Sequence, residues 1–162
     1  AFLFACYTGA RYIDIAGLDF QRDIKNNTWL LRVVKTQEIL YIPLSTQAIA
    51  IIEKYRAFNK LPLISDQKTN KHLKEIGNQA GINDVVSITK YSGGKRTSIN
   101  YEKWQLITFH TARRTFITLG LTKGIPAEVI MKISGHKTYS SFKKYVKFNN
   151  QQVANEFLSK WE

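Results

Sequence analysis

Two patterns of apolar and polar positions divide this chain into helices and strands. Across most of it apolar residues recur at the helical spacing, whereas two regions hold short runs of β-branched and apolar residues. The runs Thr28–Val34 and Glu38–Ile42 follow the turn residues Asn26-Asn27 and predict a small antiparallel meander. Val85–Thr89 and Thr97–Tyr101 flank Gly93-Gly94 and predict a second β-hairpin.

The rest of the pattern predicts helices, with Ser45 and Asp66 as N-caps of two of them. The predicted helices span Phe2–Tyr7, Arg11–Ala16, a segment from Ser45 to about Phe58, Gln67–Gln79, Phe109–Thr122, Ala127–Ser134, Ser140–Phe148 and Gln151–Trp161. A small sheet followed mostly by helices predicts a single α+β domain over residues 1–162, mostly helical. Because Ala1–Tyr7 resembles the end of a helix, we expect the chain to begin inside its own domain.

The composition is typical of one soluble domain. The chain has 162 residues, of which 44% are hydrophobic and 22% charged, enough for a hydrophobic core. No apolar run reaches the length of a transmembrane helix, and the apolar start is too short for a secretory signal. The single cysteine, Cys6, permits no disulfide within the chain, and the scattered histidines show no metal-ligand spacing. We expect a cytoplasmic protein without a metal ion or other cofactor.

The charge balance points to nucleic acid. The chain has 24 Lys and Arg against 12 Asp and Glu, a net charge of +12. The sequence pI of about 9.8 is above the range of ordinary domains and is typical of nucleic-acid binders. A merely solvated basic surface is the alternative. A membrane-surface role is disfavoured, because no segment is a basic amphipathic helix with a broad apolar face.

Two arginines, a histidine and a tyrosine are suited to breaking a phosphodiester bond. Arg11 and Arg113 can clamp the charge that develops on two phosphate oxygens, because a planar guanidinium matches phosphate geometry. His110 lies three positions before Arg113, on the same helix face, and Tyr145 is the candidate nucleophile. We expect another face of this helix to contact the core, the face that carries Ala112, Phe116 and Leu119. We therefore expect His110 and Arg113 to point away from the core.

Three further residues can assist this chemistry. His136, directly after Gly135, can donate a hydrogen bond to the same phosphate, and Lys35, between the predicted strands, can protonate the departing 5′ oxygen. Asp14, three residues after Arg11, can hold its guanidinium. Each position alone also has an ordinary explanation: an exposed helix face, a capping histidine, a solvated lysine, an exposed ion pair, or a packing aromatic among eight tyrosines.

In residue type, order and spacing, these positions together resemble the tyrosine recombinases of the phage integrase family. Thr8-Gly9-Ala10-Arg11 with Asp14 is similar to the family's first motif, His110-x-x-Arg113 to the second and Gly135-His136 to the third. Lys35 matches the β-hairpin lysine of the family, and Tyr145 lies at the nucleophile's spacing from His136. The resemblance runs from Gly9 to Phe148.

This resemblance implies the family's catalytic-domain fold and its chemistry. The family cleaves and rejoins double-stranded DNA through a 3′-phosphotyrosyl intermediate, without metal or cofactor, as a homotetramer that pairs two sites. It implies Arg11, Lys35, His110, Arg113, His136 and Tyr145 as the catalytic residues. An N-terminal core-binding domain, usual in the family, is absent from this sequence, so the chain alone can be a monomer. Its C-terminal helix would dock on a neighbouring protomer or fold back.

Two departures from the family pattern favour an integrase of a mobile element. Arg114 stands where many members have histidine, and Tyr91–Trp104 resembles an insertion whose basic tip carries Lys95 and Arg96. Together with Lys137, these basic residues are the predicted DNA-binding residues. Two alternatives stay open: a type IB topoisomerase, which shares the chemistry but does not pair sites, and a non-catalytic DNA-binding module.

Overall fold

The N-terminal third of the chain forms three short helices and a small sheet. The computed structural model describes residues 1–33 and 38–146. The helices are α1 (Phe2–Thr8), α2 (Tyr12–Ala16) and α3 (Phe20–Asp23), and the strands are β1 (Ile24–Lys25), β2 (Thr28–Arg32) and β3 (Ile39–Pro43). The sheet has the order β1-β2-β3 and is antiparallel throughout. The predicted meander is therefore confirmed.

Local signals in the sequence explain where these elements turn. Asn26 and Asn27 both have positive φ, 48° and 57°, which lets the chain reverse tightly between β1 and β2. Trp29, with 1% of its surface exposed, pairs with Ile24 on one side and Ile42 on the other. The sheet thus turns one face onto the core, where the Trp29 ring contacts Phe4 of α1.

Two helices and a long hairpin follow. They are α4 (Thr46–Lys54), α5 (Asp66–Gln79), β4 (Val85–Ser92) and β5 (Lys95–Glu102), with 3₁₀ helices at Arg56–Phe58 and Lys103–Leu106. The predicted helix up to about Phe58 was too long, since α4 ends at Lys54. Ser65 caps α5, so Asp66 is its first helical residue rather than its cap. The hairpin strands are longer than predicted, because the ladder continues toward the turn through pairs such as Tyr91–Arg96.

Three helices complete the described chain: α6 (His110–Thr122), α7 (Ala127–Ser134) and α8 (Tyr139–Lys143). Helix α8 ends at Lys143, so it is shorter than the predicted helix Ser140–Phe148. Tyr145 lies in the turn after it. Residues 147–162, which include the predicted helix Gln151–Trp161, lie outside the described residues. Among the described helices, none is long and apolar enough to cross a membrane.

The core has two parts that meet along α6. The larger contains Phe4, Trp29, Ile42 and Phe109, and joins α1, the sheet and α4 to the start of α6. The smaller contains Ile117, Ile130 and Phe142, from α6, α7 and α8. The fold is α+β and mostly helical, as predicted. Residues at the start of α6 lie where the two parts meet, and that is where the candidate site forms.

Candidate active site

A histidine from α6 and a tyrosine from the turn after α8 form the centre of the site. His110 Nε2 lies 2.8 Å from the hydroxyl of Tyr145, although the two residues are 35 positions apart. Burial lowers the pKa of His110, and the positive charges of Arg113, Arg114, Lys144 and Arg11 lower it further. The imidazole is therefore neutral at pH 7 and can accept the proton of a phenol.

Arg113 is buried, contrary to the prediction that it points away from the core. Its side chain is 3% exposed, whereas Leu119, predicted to be in the core, is 49% exposed. The guanidinium donates from Nη1 to the carbonyl of Gly9 at 2.8 Å and from Nη2 to the carbonyl of Ser134 at 2.6 Å. A helical wheel places this charge in solvent. The prediction was wrong because two carbonyls from other elements accept hydrogen bonds from the guanidinium and allow it to be buried.

The electrostatics of Arg113 are those of a buried cation near other cations. Burial, the largest cause, and the charge of Arg11 lower its pKa to about 10, although Tyr145 and Asp14 act in the opposite direction. It is still protonated at neutral pH. Among the described residues its hydrogen-bond partners are two carbonyls and an imidazole rather than a carboxylate, so an anion entering the site is favoured.

His136 packs against both Arg113 and the tyrosine. Arg113 Nη2 lies 3.2 Å from His136 Nδ1 and 3.3 Å from Nε2, and the ring meets those of Phe142 and Tyr145 edge to face at centroid distances of 5.4 and 5.3 Å. Burial is the largest of the causes that lower the pKa of His136 to about 4, and Arg113, Arg11, Lys144 and His110 contribute in the same direction. His136 is therefore neutral in the DNA-free protein at pH 7.

Gly135 sets the position of His136. It ends α7 with φ of 70°, in the left-handed region that favours glycine. A Cβ on Gly135 would lie 2.7 Å from Leu40 Cδ1 on β3. Glycine thus reverses the chain after α7 and allows the next residue to approach α6.

Sequence reasoning missed Ser134, which lies at the centre of these contacts. It is 3% exposed, and its carbonyl accepts from Arg113. Its hydroxyl donates to the carbonyl of Ile130 at 2.6 Å and lies 2.7 Å from His136 Nδ1. A serine at the end of a helix commonly bonds back to its own helix, so the only available signal was its position two residues before His136.

Arg11 contributes its charge at the edge of the site. It is exposed and lines an open cleft of about 390 Å³ with His110, Asp66 and Asn70. Asp14 accepts from the backbone N–H of Arg11 at 3.0 Å, which caps the start of α2. The contact found for Asp14 thus holds the Arg11 backbone, not the guanidinium for which it was predicted.

The other predicted residues are distributed around the site. Lys35 lies outside the described residues. Arg114 is exposed on α6, near enough to His110 to lower its pKa. Lys137 pairs with Glu38 at 3.0 Å. Lys95 and Arg96 are exposed at the turn of the β4–β5 hairpin.

The arrangement is a cationic surface around one phenol. Within residues 1–33 and 38–146 there is no group of three His, Cys, Asp or Glu side chains placed to hold a metal ion. Two guanidiniums, two neutral imidazoles and a tyrosine hydroxyl suit the binding of a phosphate group and attack on it. The structure brings together Arg11, His110, Arg113, His136 and Tyr145 of the predicted residues.

Comparisons with known proteins agree with this geometry. A model of the phage integrase family matches residues 1–152. No curated protein sequence matches the chain significantly.

Among solved structures, the fold is similar to those of two recombinases and a transposon integrase. The crystal structure of XerA recombinase has a TM-score of 0.68 at 17% identity, with 96% of this chain and 54% of that one covered. XerH recombinase, bound to palindromic difH substrate in a post-cleavage complex, has a TM-score of 0.67 at 18% identity, with 99% and 44% covered. The integrase of the Tn1549 transposon, in complex with circular intermediate DNA, has a TM-score of 0.59 at 14% identity, with 96% and 55% covered. This chain therefore spans about half the length of these structures.

Proposed function

Since this chain belongs to the phage integrase family, we propose that it is the catalytic domain of a site-specific DNA recombinase that integrates and excises a mobile element. The observation that carries the proposal is the contact of 2.8 Å between His110 Nε2 and the hydroxyl of Tyr145, beside the buried guanidinium of Arg113. In this proposal the three side chains serve as nucleophile, base and anion clamp.

In the proposed reaction the Tyr145 oxygen attacks the phosphorus of a DNA phosphodiester. A bond forms between phosphorus and the phenol oxygen, and the bond to the 5′ oxygen breaks, which leaves a 3′-phosphotyrosyl link. The phenol proton passes to His110 Nε2, which is neutral because burial and nearby cations lower its pKa. Attack by a 5′ hydroxyl reverses these steps, so rejoining needs no external energy source.

Charge stabilisation would come from the arginines and His136. Arg113 is held by two carbonyls, so its orientation is fixed before substrate arrives. Such preorganised donors commonly contribute about 100- to 1,000-fold in rate each, because they need no reorganisation during the reaction. Arg11, the N-cap of α2, lies at the same site, and we assign Lys35 the protonation of the 5′ oxygen.

The proposed partner is double-stranded DNA. The net charge of +12 supports it, as does the presence of DNA in the XerH and Tn1549 integrase complexes. We extend the proposal to a homotetramer that pairs two sites, an extension that rests on the family alone.

Covalent trapping tests the nucleophile. Nicked duplexes from the ends of the source element, which let the cleaved strand diffuse away, are incubated with the protein in EDTA and resolved on denaturing gels. We expect an adduct that disappears in Tyr145→Phe. Tyr139→Phe is the matched control, because Tyr139 lies on α8, is 54% exposed and contacts Phe142 rather than His110.

Each outcome of this experiment is informative. An adduct that depends on Tyr145 but not on Tyr139 supports the proposed chemistry. An adduct that survives Tyr145→Phe contradicts the assignment of the nucleophile. If DNA is bound but no adduct forms with any variant, a non-catalytic DNA-binding module becomes the better description.

A further inference from the structure

The hydroxyl of Ser134 has two close neighbours and only one hydrogen to offer. Its Oγ lies 2.6 Å from the carbonyl oxygen of Ile130 and 2.7 Å from Nδ1 of His136. Two oxygens at 2.6 Å repel each other unless a hydrogen lies between them, and a carbonyl cannot supply one. The hydroxyl hydrogen is therefore committed to Ile130, and Oγ faces His136 as an acceptor.

The proton on His136 follows from this assignment. An imidazole nitrogen that approaches an accepting oxygen must carry a hydrogen, so Nδ1 is the protonated nitrogen. A second contact is compatible with this assignment. Arg113 Nη2 can only donate, and it lies within 3.3 Å of both ring nitrogens, so one of them must have a free lone pair. With Nδ1 protonated, that nitrogen is Nε2.

We propose that Ser134 is a positioning residue that holds His136 in the Nδ1–H form and fixes the orientation of its ring for cleavage. The structural basis is the chain of contacts from the Ile130 carbonyl through the buried Ser134 hydroxyl to His136 Nδ1. The part that concerns cleavage rests on the proposed recombinase function.

This arrangement suits a histidine that must meet a phosphate. Both the neutral Nδ1–H form and the imidazolium carry a hydrogen on Nδ1, so the bond to Ser134 is the same in both. When a phosphate oxygen arrives, Nε2 can take a proton from solvent, exchange its contact with Arg113 for one in which it donates to the phosphate, and leave the bond at Ser134 unchanged. The serine thereby keeps the ring in place through the change of charge.

The simpler explanation is that Ser134 only bonds back to its own helix. Ser and Thr hydroxyls often do so, and Thr122 on α6 does the same, donating to the carbonyl of Thr118 at 2.9 Å. Thr122 is exposed, whereas Ser134 also contacts an imidazole. Thr122→Val is therefore a matched control that removes a back-bonding hydroxyl and touches no histidine.

Nitrogen-15 NMR of the histidine rings separates the two explanations, because it reports which ring nitrogen carries the hydrogen. The chain has three histidines, and the signals missing in His136→Gln assign those of His136. Spectra of the DNA-free protein at neutral pH are compared for the wild type, Ser134→Ala, Ser134→Thr and Thr122→Val. Urea unfolding of the same four proteins confirms that they are folded. DNA binding and the rate of adduct formation are then measured for each.

We expect the Nδ1–H form in the wild type, in Ser134→Thr and in Thr122→Val, and a shift toward Nε2–H in Ser134→Ala. We also expect Ser134→Ala to cleave about 10- to 100-fold more slowly with DNA binding unchanged, as for other residues that orient a functional histidine. A wild type in the Nε2–H form, a Ser134→Ala spectrum like the wild type, or full cleavage by Ser134→Ala would overturn the proposal. If no variant cleaves DNA, the proposed function fails, and the spectra alone decide the role of Ser134.

Discussion

Acid should destabilise this protein through His136. Burial and the surrounding cations hold its pKa at about 4, against an ordinary value of 6.5. The unfolded chain therefore takes up a proton on His136 at a higher pH than the folded chain does. Wherever the unfolded state binds more protons, stability decreases as the pH falls. The stability linked to His136 is therefore lost as the pH falls from about 6.5 to about 4, and it is fully present above that window.

The size of the effect follows from the two pKa values. At pH 5 the unfolded imidazole is almost fully protonated, because this pH lies roughly 1.5 units below its ordinary pKa, whereas the folded imidazole is neutral. This difference corresponds to about 2 kcal/mol in the free energy of unfolding. Solvent around the partly buried ring weakens the repulsion, which lowers the expected loss between pH 7 and pH 5 to about 1–2 kcal/mol. That is a measurable part of the stability of a small domain.

The assay is urea unfolding at pH 7 and pH 5 of the wild type, His136→Gln and His72→Gln. Glutamine cannot take up a proton in this range, so His136→Gln should lose about 1–2 kcal/mol less than the wild type on acidification. His72 is exposed on α5 and pairs with Glu75, so its replacement is the control for losing a histidine elsewhere on the fold and should give no such protection. The reasoning is refuted if His136→Gln and the wild type lose the same free energy of unfolding, or if His72→Gln gives equal protection.

Two further predictions concern the elements that hold the site. Gly9→Ala should cost about 1–3 kcal/mol more than Gly124→Ala in urea unfolding: both glycines have φ near 70°, but only a Cβ on Gly9 would meet the rigid Phe116 ring, at 2.5 Å. Equal losses would show that Phe116 does not restrict this position. Arg113→Ala should lower the free energy of unfolding by about 2–6 kcal/mol, because it leaves the buried carbonyls of Gly9 and Ser134 without a donor, at about 1–3 kcal/mol each. A wild-type urea midpoint for Arg113→Ala would contradict a structural role for the guanidinium.

Elements set by short-range signals could be predicted from the sequence. Asn26-Asn27 requires nothing beyond its own backbone to reverse the chain, and Ser45 caps α4 through the N–H of Ala48. The same holds for the runs of apolar and β-branched residues that form β2 and β3. These features depend on residues that are close in sequence, so local reasoning captures them.

The surroundings of the candidate residues could not be predicted in the same way. Arg113 is buried because carbonyls 104 positions before it and 21 positions after it accept its hydrogens. A helical wheel contains neither partner, so it assigned Arg113 to solvent and Leu119 to the core. Asp14 shows the same limit for residues close in sequence. A carboxylate at the third position of a helix can accept from the backbone N–H of the residue before the helix as readily as it can pair with a side chain.

The two acceptors of Arg113 link the stability of the fold to the geometry of the site. Gly9 precedes Arg11 by two residues, and Ser134 precedes His136 by two residues, so one guanidinium fixes the segments that carry both of them. Its own helix begins with His110, which contacts Tyr145.

Loss of cleavage in Arg113→Ala would therefore combine a missing phosphate clamp with displacement of Arg11 and His136. Loss of cleavage in Tyr145→Phe has no such second cause, because it removes one hydroxyl from the partly buried turn after α8 and leaves every carbonyl partner of Arg113 in place. For that reason the tyrosine, not the arginine, is the residue on which the proposed chemistry can be judged.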